Sequence, residues 1–124
     1  MKLHTILVID DDTVLRQSLS LFLSQKDFQV SEAEDGQIGY DMYIEHNPSV
    51  IILDMMMPHV DGNQFIEMVK KNNEKDLEKI IVMTNKEDML DVASVLSTGV
   101  TDYVTKSNID LEYIYNLILR KIGL

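Results

Sequence analysis

Short apolar segments alternate with longer amphipathic segments along the whole chain. The apolar segments are rich in Val and Ile and end at polar residues, which is typical of strands buried on both faces of a sheet. The second of them alternates apolar and polar residues, which favours an edge strand with one face in water. We predict five strands, at Thr5–Ile9, Phe28–Ala33, Val50–Leu53, Ile80–Met83 and Val100–Thr105.

The segments between these strands carry apolar residues at helical spacing. Asp12 or Thr13 can cap the first helix, Asp61 can cap the third, and Gly99 closes the fourth. The polar segment Asn72–Leu77 is predicted to be a loop. The predicted helices are residues 13–25, Ile38–His46, a helix after Asp61 that carries Phe65, Met68 and Val69, Lys86–Thr98, and Leu111–Ile122.

Alternation of strands and helices predicts parallel strands joined by right-handed crossovers, with helices on both faces of the sheet. The fold class is therefore α/β, a three-layer, doubly wound (βα)5 sheet. A chain of 124 residues suits a single domain, and we expect residues 1–124 to form it.

Composition and charge exclude several classes of partner and of structural feature. The formal net charge of −10 argues against direct binding to nucleic acid or to an anionic membrane. The absence of cysteine excludes disulfides and thiolate metal sites. The N-terminal apolar run is too short for a signal-peptide core, and no segment approaches the length of a membrane span. We expect a soluble, cytoplasmic protein.

Chemically reactive side chains follow four of the predicted strands. Asp10 and Asp11 follow the first strand, Asp54 the third, Thr84 the fourth and Lys106 the fifth. Carboxyl ends of parallel strands meet at one edge of a sheet, so these groups should converge there. Clustered carboxylates raise one another's pKa unless a cation lies between them, and a sparse set of oxygen ligands suits Mg²⁺.

This combination predicts phosphoryl chemistry. A carboxylate beside Mg²⁺ can attack a phosphoryl group, while the metal and an ammonium neutralise charge on the phosphoryl oxygens and a hydroxyl donates to another. Taken singly, Asp11 or Asp12 would be a helix cap, Asp54 a turn residue and Lys106 a solvated surface charge. Their convergence on one edge is what favours a functional site.

Several separated motifs, in the order expected, resemble the receiver domains of two-component response regulators. The motifs are V-I-D-D-D, I-I-L-D-M-M-M-P-H-V-D-G, I-V-M-T-N and G-V-T-D-Y-V-T-K. The likeness covers the whole chain and is strongest to chemotaxis-type single-domain regulators. It implies a flavodoxin-like sheet of strand order 2-1-3-4-5 and phosphorylation by a sensor histidine kinase or histidine phosphotransfer protein. It also implies an output partner or domain and leaves open a phosphorylation-dependent dimer.

The resemblance also implies roles for residues. Asp54 would accept the phosphoryl group; Asp11, Asp54 and the carbonyl of Met56 would bind Mg²⁺ directly, with Asp10 acting through water. Lys106 would pair with the phosphoryl group. Thr84 and Tyr103 would form a switch that is read out on the fourth helix, fifth strand and fifth helix. Such a protein would catalyse only its own phosphorylation and dephosphorylation.

Two positions, Ser107 and Asn85, depart from the family pattern, and two others, Met56 and Lys86, lie where family members tune hydrolysis of the phosphoryl group. Ser107 stands where the family usually has proline, and we expect a trans Lys106–Ser107 peptide because a cis bond before a non-proline residue costs about 2.5–4 kcal/mol. Asn85 replaces a smaller residue and could crowd the site or offer a hydrogen bond. Met56 cannot orient a water, and Lys86 would shield the site, so we expect a long-lived phosphoryl group. The flanking Met55 and Met57, like Met56, are predicted to fill core and loop packing.

Three alternatives stay open at this point. D-D-D-T-V also fits haloacid-dehalogenase-type phosphatases, with Asp10 as nucleophile and Asp12 as acid/base. That interpretation leaves Asp54 without a role, and the chain lacks the further acidic motif that such enzymes need downstream of the lysine. A flavodoxin-like FMN protein would need hydroxyls and glycines where this chain has aspartates. A receiver that takes no phosphoryl group could serve as an interaction scaffold.

Overall fold

A parallel five-stranded sheet lies at the centre of the molecule. The structure, a computed structural model, describes residues 3–84 and 96–124. The strand order is β2-β1-β3-β4-β5, and every neighbouring pair is parallel, which confirms the predicted fold class and strand order. The strands are β1 (Thr5–Ile9), β2 (Gln29–Ala33), β3 (Val50–Asp54), β4 (Ile80–Thr84) and β5 (Asp102–Thr105).

Helices cover both faces of this sheet. The described α-helices are α1 (Thr13–Ser24), α2 (Gly36–His46), α3 (Gly62–Asn72) and a C-terminal helix (Leu111–Lys121), and two 3-10 helices span Glu74–Lys79 and Lys106–Asn108. Each α-helix begins after an aspartate whose side chain accepts a backbone N–H of the first turn, at Asp12, Asp35, Asp61 and Asp110. Most of the helix predicted over Lys86–Thr98 lies outside the described residues, as do the expectations for Asn85 and Lys86.

Three predicted segments differ from the structure by more than one residue. Helix α2 begins at Gly36 rather than Ile38, because the Asp35 carboxylate accepts the N–H of Ile38 at 2.9 Å and caps the helix earlier. The segment predicted as a loop over Asn72–Leu77 includes most of a 3-10 helix, since Asp76 and Leu77 are buried and anchor it. Strand β5 begins at Asp102 rather than Val100.

Alternate residues of the strands enter two separate cores, which makes the fold three-layered. One core lies between the sheet and α2 and α3, and contains Leu7, Ile9, Ile51, Leu53, Phe65 and Val69. The other lies between the sheet and α1 and the C-terminal helix, and contains Ile6, Val8, Ile52, Met83, Leu19 and Ile118. Since both faces are covered, the chemistry is confined to the edges of the sheet.

Backbone geometry bears on one predicted departure from the family pattern. The Lys106–Ser107 peptide is trans, as expected for a bond before serine, and the described residues contain no cis peptide. Among those same residues, no helix is long and apolar enough to cross a membrane.

Candidate functional site

The register of the sheet brings the N-terminal aspartates beside Asp54. Ile9, the last residue of β1, pairs with Leu53 of β3, so Asp10 and Asp54 leave neighbouring strands at the same level. Asp54 pairs with Met83 on its other side, and Thr84 pairs with Thr105, the residue before Lys106. The predicted convergence at the carboxyl edge follows from this register.

Side-chain distances make the cluster tight. Oxygen atoms of Asp10, Asp11 and Asp54 lie within 4.8 Å of one another. Lys106 Nζ lies 3.1 Å from Asp10 Oδ2 and 3.1 Å from Asp54 Oδ2, and it donates to Asp10 Oδ1 at 3.3 Å. Asp10 is fully buried, Asp54 is nearly so, and Asp11 is exposed. The site is thus a buried carboxylate pair with a third carboxylate at its mouth.

Burial and neighbouring charges both shift the pKa values of this cluster. Burial and the neighbouring Asp10 carboxylate raise the pKa of Asp54 to about 7, although Lys106 acts in the opposite direction. Burial alone would lower the pKa of Lys106, but the charges of Asp54 and Asp10 outweigh it, and the pKa is raised. Lys106 therefore stays charged, and a further cation beside Asp54 would favour its ionised form.

Two sets of hydrogen bonds, made by Asp12 and by Arg16, fix the loop that carries Asp10 and Asp11. The Asp12 carboxylate accepts the N–H of Leu15 at 3.1 Å and so caps α1. Arg16 Nη1 donates to the carbonyl oxygen of Asp10 at 2.8 Å, while Arg16 Nε donates to Glu32 of β2 at 3.0 Å. The sequence analysis did not identify Arg16 as a residue that supports the site. The only available signals were a charged residue beside apolar ones in α1 and a glutamate near the end of β2.

The loop after β3 is fixed by close backbone approaches. A Cβ added to Gly62 would lie 2.5 Å from Met55 Sδ and 2.7 Å from Met55 Cα. One added to Gly36 would lie 2.3 Å from the carbonyl oxygen of Val60, which accepts the N–H of Gly36 at 3.2 Å. Both contacts require glycine, so α2 and α3 pack directly on the loop that positions Asp54.

The remaining predicted site residues lie on β4, on β5 and in the loop after β3. Thr84 is buried at the end of β4, and Tyr103, in β5, is 39% exposed. The N–H of Met56 donates to Asp54 Oδ1 at 3.3 Å, while the Met56 side chain is 60% exposed. The prediction that all three methionines fill packing is wrong for Met56, since the chain turns it outward between the buried Met55 and Met57.

The donor set fits a magnesium ion. Among the described residues, the buried Oδ2 atoms of Asp10 and Asp54 accept no hydrogen bond of good geometry, although each lies within ion-pair distance of Lys106. The three clustered side chains of Asp10, Asp11 and Asp54 offer oxygen ligands only, which are the ligands that Mg²⁺ prefers.

Comparison with known proteins identifies the family. A family model described as the response regulator receiver domain matches residues 6–118. The chain belongs to the response regulator receiver domain family. This receiver domain is 33% identical, over 103 residues, to the transcriptional regulatory protein SrrA of Staphylococcus aureus. The match covers 83% of this chain and 42% of SrrA, so the chain matches less than half the length of that curated relative.

Solved structures share the fold of this receiver domain. The chemotaxis protein CheY4 of Vibrio cholerae superposes with a TM-score of 0.86 at 23% identity, covering 96% of this chain and 98% of CheY4. A response regulator receiver domain protein from Clostridium thermocellum gives a TM-score of 0.88 at 24% identity, covering 98% of this chain and 95% of the other. At these identities the likeness shows the fold alone.

Family membership decides between the broad classes of function. Receiver domains of two-component systems are signalling domains rather than classical enzymes, and they bind Mg²⁺ at an acidic pocket. The phosphatase alternative needed Asp12 as acid/base, whereas here Asp12 caps α1.

Proposed function

We propose that this receiver domain is a phosphoacceptor switch in which Asp54 takes a phosphoryl group from a phosphohistidine of a sensor histidine kinase or a histidine phosphotransfer protein. An oxygen of Asp54 attacks phosphorus, the P–N bond breaks, and an acyl phosphate forms. The observation that carries the proposal is the position of Asp54, at the end of β3, within 4.8 Å of the Asp10 and Asp11 oxygens and 3.1 Å from Lys106 Nζ.

Each neighbour of Asp54 has a role in this proposal. Asp10, Asp11, Asp54 and the carbonyl of Met56 would hold Mg²⁺, with Asp10 acting largely through water. Bound there, the ion supplies positive charge for the phosphoryl oxygens. Lys106 supplies a second positive charge, and the buried carboxylate pair keeps it oriented toward Asp54.

The switch residues extend the proposal to the surface of the protein. The Thr84 hydroxyl, at the end of the neighbouring strand, would move to donate to the phosphoryl group, and the Tyr103 ring would turn inward into the space that Thr84 leaves. The exposure of Tyr103 supports this movement, since the ring is partly exposed in this structure and can therefore turn inward. The result is a population shift, caused by one local change of charge, at the face that the sequence predicts from the fourth helix, β5 and the C-terminal helix. The output partner or domain binds there, and phosphorylation could also promote a dimer.

Small-molecule phosphorylation tests the chemistry. We expect acetyl phosphate with Mg²⁺ to add about 80 Da, one phosphoryl group, to the intact protein. Chelation of Mg²⁺ and the substitution Asp54→Asn should each abolish the adduct. Asp41→Asn, which changes an exposed carboxylate on α2, should leave it intact. An adduct that survives Asp54→Asn would contradict the proposal, and absence of any adduct would favour an interaction scaffold.

A further inference from the structure

Three consecutive methionines follow Asp54, and they differ sharply in exposure. Met56 is 60% exposed, whereas Met55 and Met57 are 5% and 9% exposed. Elsewhere in the described residues, Met83 is fully buried, and Met42 and Met68 are partly buried. Within that part of the chain, Met56 is therefore the thioether that a dissolved oxidant reaches most readily.

Hydrogen bonds fix the backbone around Met56, although the Met56 side chain is exposed to solvent. The N–H of Met55 donates to the carbonyl of Met83 at 3.3 Å, and the N–H of Gly62 donates to the carbonyl of Met55 at 3.1 Å. The N–H of Met56 itself donates to Asp54 Oδ1 at 3.3 Å. A chemical change at the Met56 sulfur would thus occur on a side chain whose backbone contacts the Asp54 carboxylate, without releasing the loop that positions Asp54.

We propose that Met56 is an oxidation site at which a hydroperoxide shortens the lifetime of the phosphoryl group on Asp54; the proposal rests on the function proposed above. A lone pair of Met56 Sδ attacks the distal peroxide oxygen, the O–O bond breaks and an S=O bond forms. Sulfur loses two electrons, and the rest of the peroxide leaves as water or an alcohol after taking up the proton. Because methionine sulfoxide can be reduced enzymatically, the change is reversible.

The direction of the effect follows from the hydrogen-bonding capacity of the two sulfur groups. A thioether is a weak acceptor and cannot hold a water molecule beside the phosphorylated carboxylate, whereas a sulfoxide oxygen accepts strongly. A water held there is positioned to attack phosphorus. One added hydrogen bond in the transition state corresponds to about a fivefold faster loss of the phosphoryl group.

The first test measures the order of oxidation. The native protein is treated with a limiting amount of hydrogen peroxide, and sulfoxide is located by peptide fragmentation. We expect Met56 to be oxidised before Met42, Met55, Met57, Met68 and Met83, and that preference to vanish in urea. Oxidation of any of those five at the same rate as Met56 in the native protein would overturn the assignment.

The second test measures the phosphoryl lifetime. Protein phosphorylated by acetyl phosphate is freed of donor, and decay is followed by intact mass for untreated protein, peroxide-treated protein, Met56→Gln as a polar mimic, and Met56→Leu before and after peroxide. Decay should be about fivefold faster after peroxide and in Met56→Gln than in untreated protein, and peroxide should not change decay in Met56→Leu.

The outcomes separate the two proposals. A protein that is phosphorylated but whose decay is unchanged by peroxide, or one in which Met56→Leu is accelerated equally, overturns the oxidation proposal alone. A protein that takes no phosphoryl group overturns the proposed function, and the oxidation proposal falls with it.

Discussion

Lys106 brings one positive charge within 3.1 Å of two buried carboxylates, those of Asp10 and Asp54. A partly buried ammonium that is already oriented by ion pairs loses little freedom when a phosphoryl group arrives, so it can stabilise the transition state with little reorganisation. The raised pKa of Lys106 keeps this charge in place across the neutral range.

Replacing this charge should slow the reaction. We expect Lys106→Met to reduce the rate of phosphorylation by acetyl phosphate roughly 100-fold, because a transition-state donor is lost from a buried site. The rate is measured by intact mass at saturating Mg²⁺. Lys75→Met, which changes an exposed lysine far from the acidic cluster, is the control. A Lys106→Met rate within about threefold of the parent would show that Lys106 is a structural ion-pair partner only.

A second polar cluster lies between α2, α3 and the 3-10 helix Glu74–Lys79. Tyr43 Oη donates to Asp76 Oδ2 at 2.5 Å and accepts from Asn72 Nδ2 at 3.0 Å. Burial, reinforced by the bond to Asp76, raises the pKa of Tyr43 from 10.0 to about 12. Its hydroxyl is therefore a structural group that ties α2 to α3 and to the 3-10 helix Glu74–Lys79.

The pH dependence of this bond can be measured. Since the folded pKa of Tyr43 exceeds the unfolded value, its contribution is complete below pH 10.0 and is lost as the pH rises through about 12. Tyr43→Phe should lower the free energy of urea unfolding by roughly 1–2 kcal/mol at pH 7, and the difference should shrink above pH 10. Tyr113→Phe, at an exposed ring, should have no effect. Equal stability of Tyr43→Phe and parent at pH 7 would refute the assignment.

At the scale of elements, α3 and the loop after β3 form one unit. Gly62 begins α3 and lies against Met55 and the carbonyl of Asp54, where a Cβ would be 3.0 Å from that carbonyl oxygen. The capping box of Asp61 and Gln64 fixes the start of the helix at this point. The position of Asp54 thus depends on how closely α3 approaches the sheet.

A single methyl group should disturb this unit. We expect Gly62→Ala to lower the free energy of unfolding by roughly 1–3 kcal/mol, because the added Cβ meets the backbone of Met55. It should also slow phosphorylation at Asp54 under conditions in which the variant is fully folded. Asn63→Ala, on the exposed face of the same turn, is the control for both measurements. An Ala variant as stable and as reactive as the parent would show that the loop adapts freely.

The elements that the sequence predicts well are those defined by local pattern. Buried strands such as β1 and β3 are unbroken apolar runs, and aspartates before helices are recognisable caps. Contacts between elements cannot be predicted from local sequence pattern. Helix α2 buries Gly36, Gly39 and Tyr43 rather than an apolar stripe, so its start was misplaced. The sequence predicts a loop where the 3-10 helix lies, because the burial of that helix depends on Tyr43, a residue distant in the sequence.

At the scale of the whole molecule, the topology explains why the acidic residues could be predicted from the sequence. Parallel strands place all their carboxyl ends on one edge, so recognising the strands was enough to predict that Asp10, Asp11, Asp54 and Lys106 meet there. The contacts that fix the loops at that edge could not be predicted. Arg16 joins α1 to β2, and Gly36 contacts Val60, only in the folded chain. The roles of Thr84 and Tyr103 stay predictions.

Chemical trapping of the phosphorylated residue tests the role of Asp54 most directly. After reaction with acetyl phosphate and Mg²⁺, borohydride reduces an acyl phosphate to an alcohol and so converts the phosphorylated aspartate to homoserine, which peptide sequencing by mass spectrometry can locate. We predict homoserine at position 54 and at no other. Homoserine at position 10, 11 or 12 would contradict the assignment of Asp54 as the phosphoacceptor.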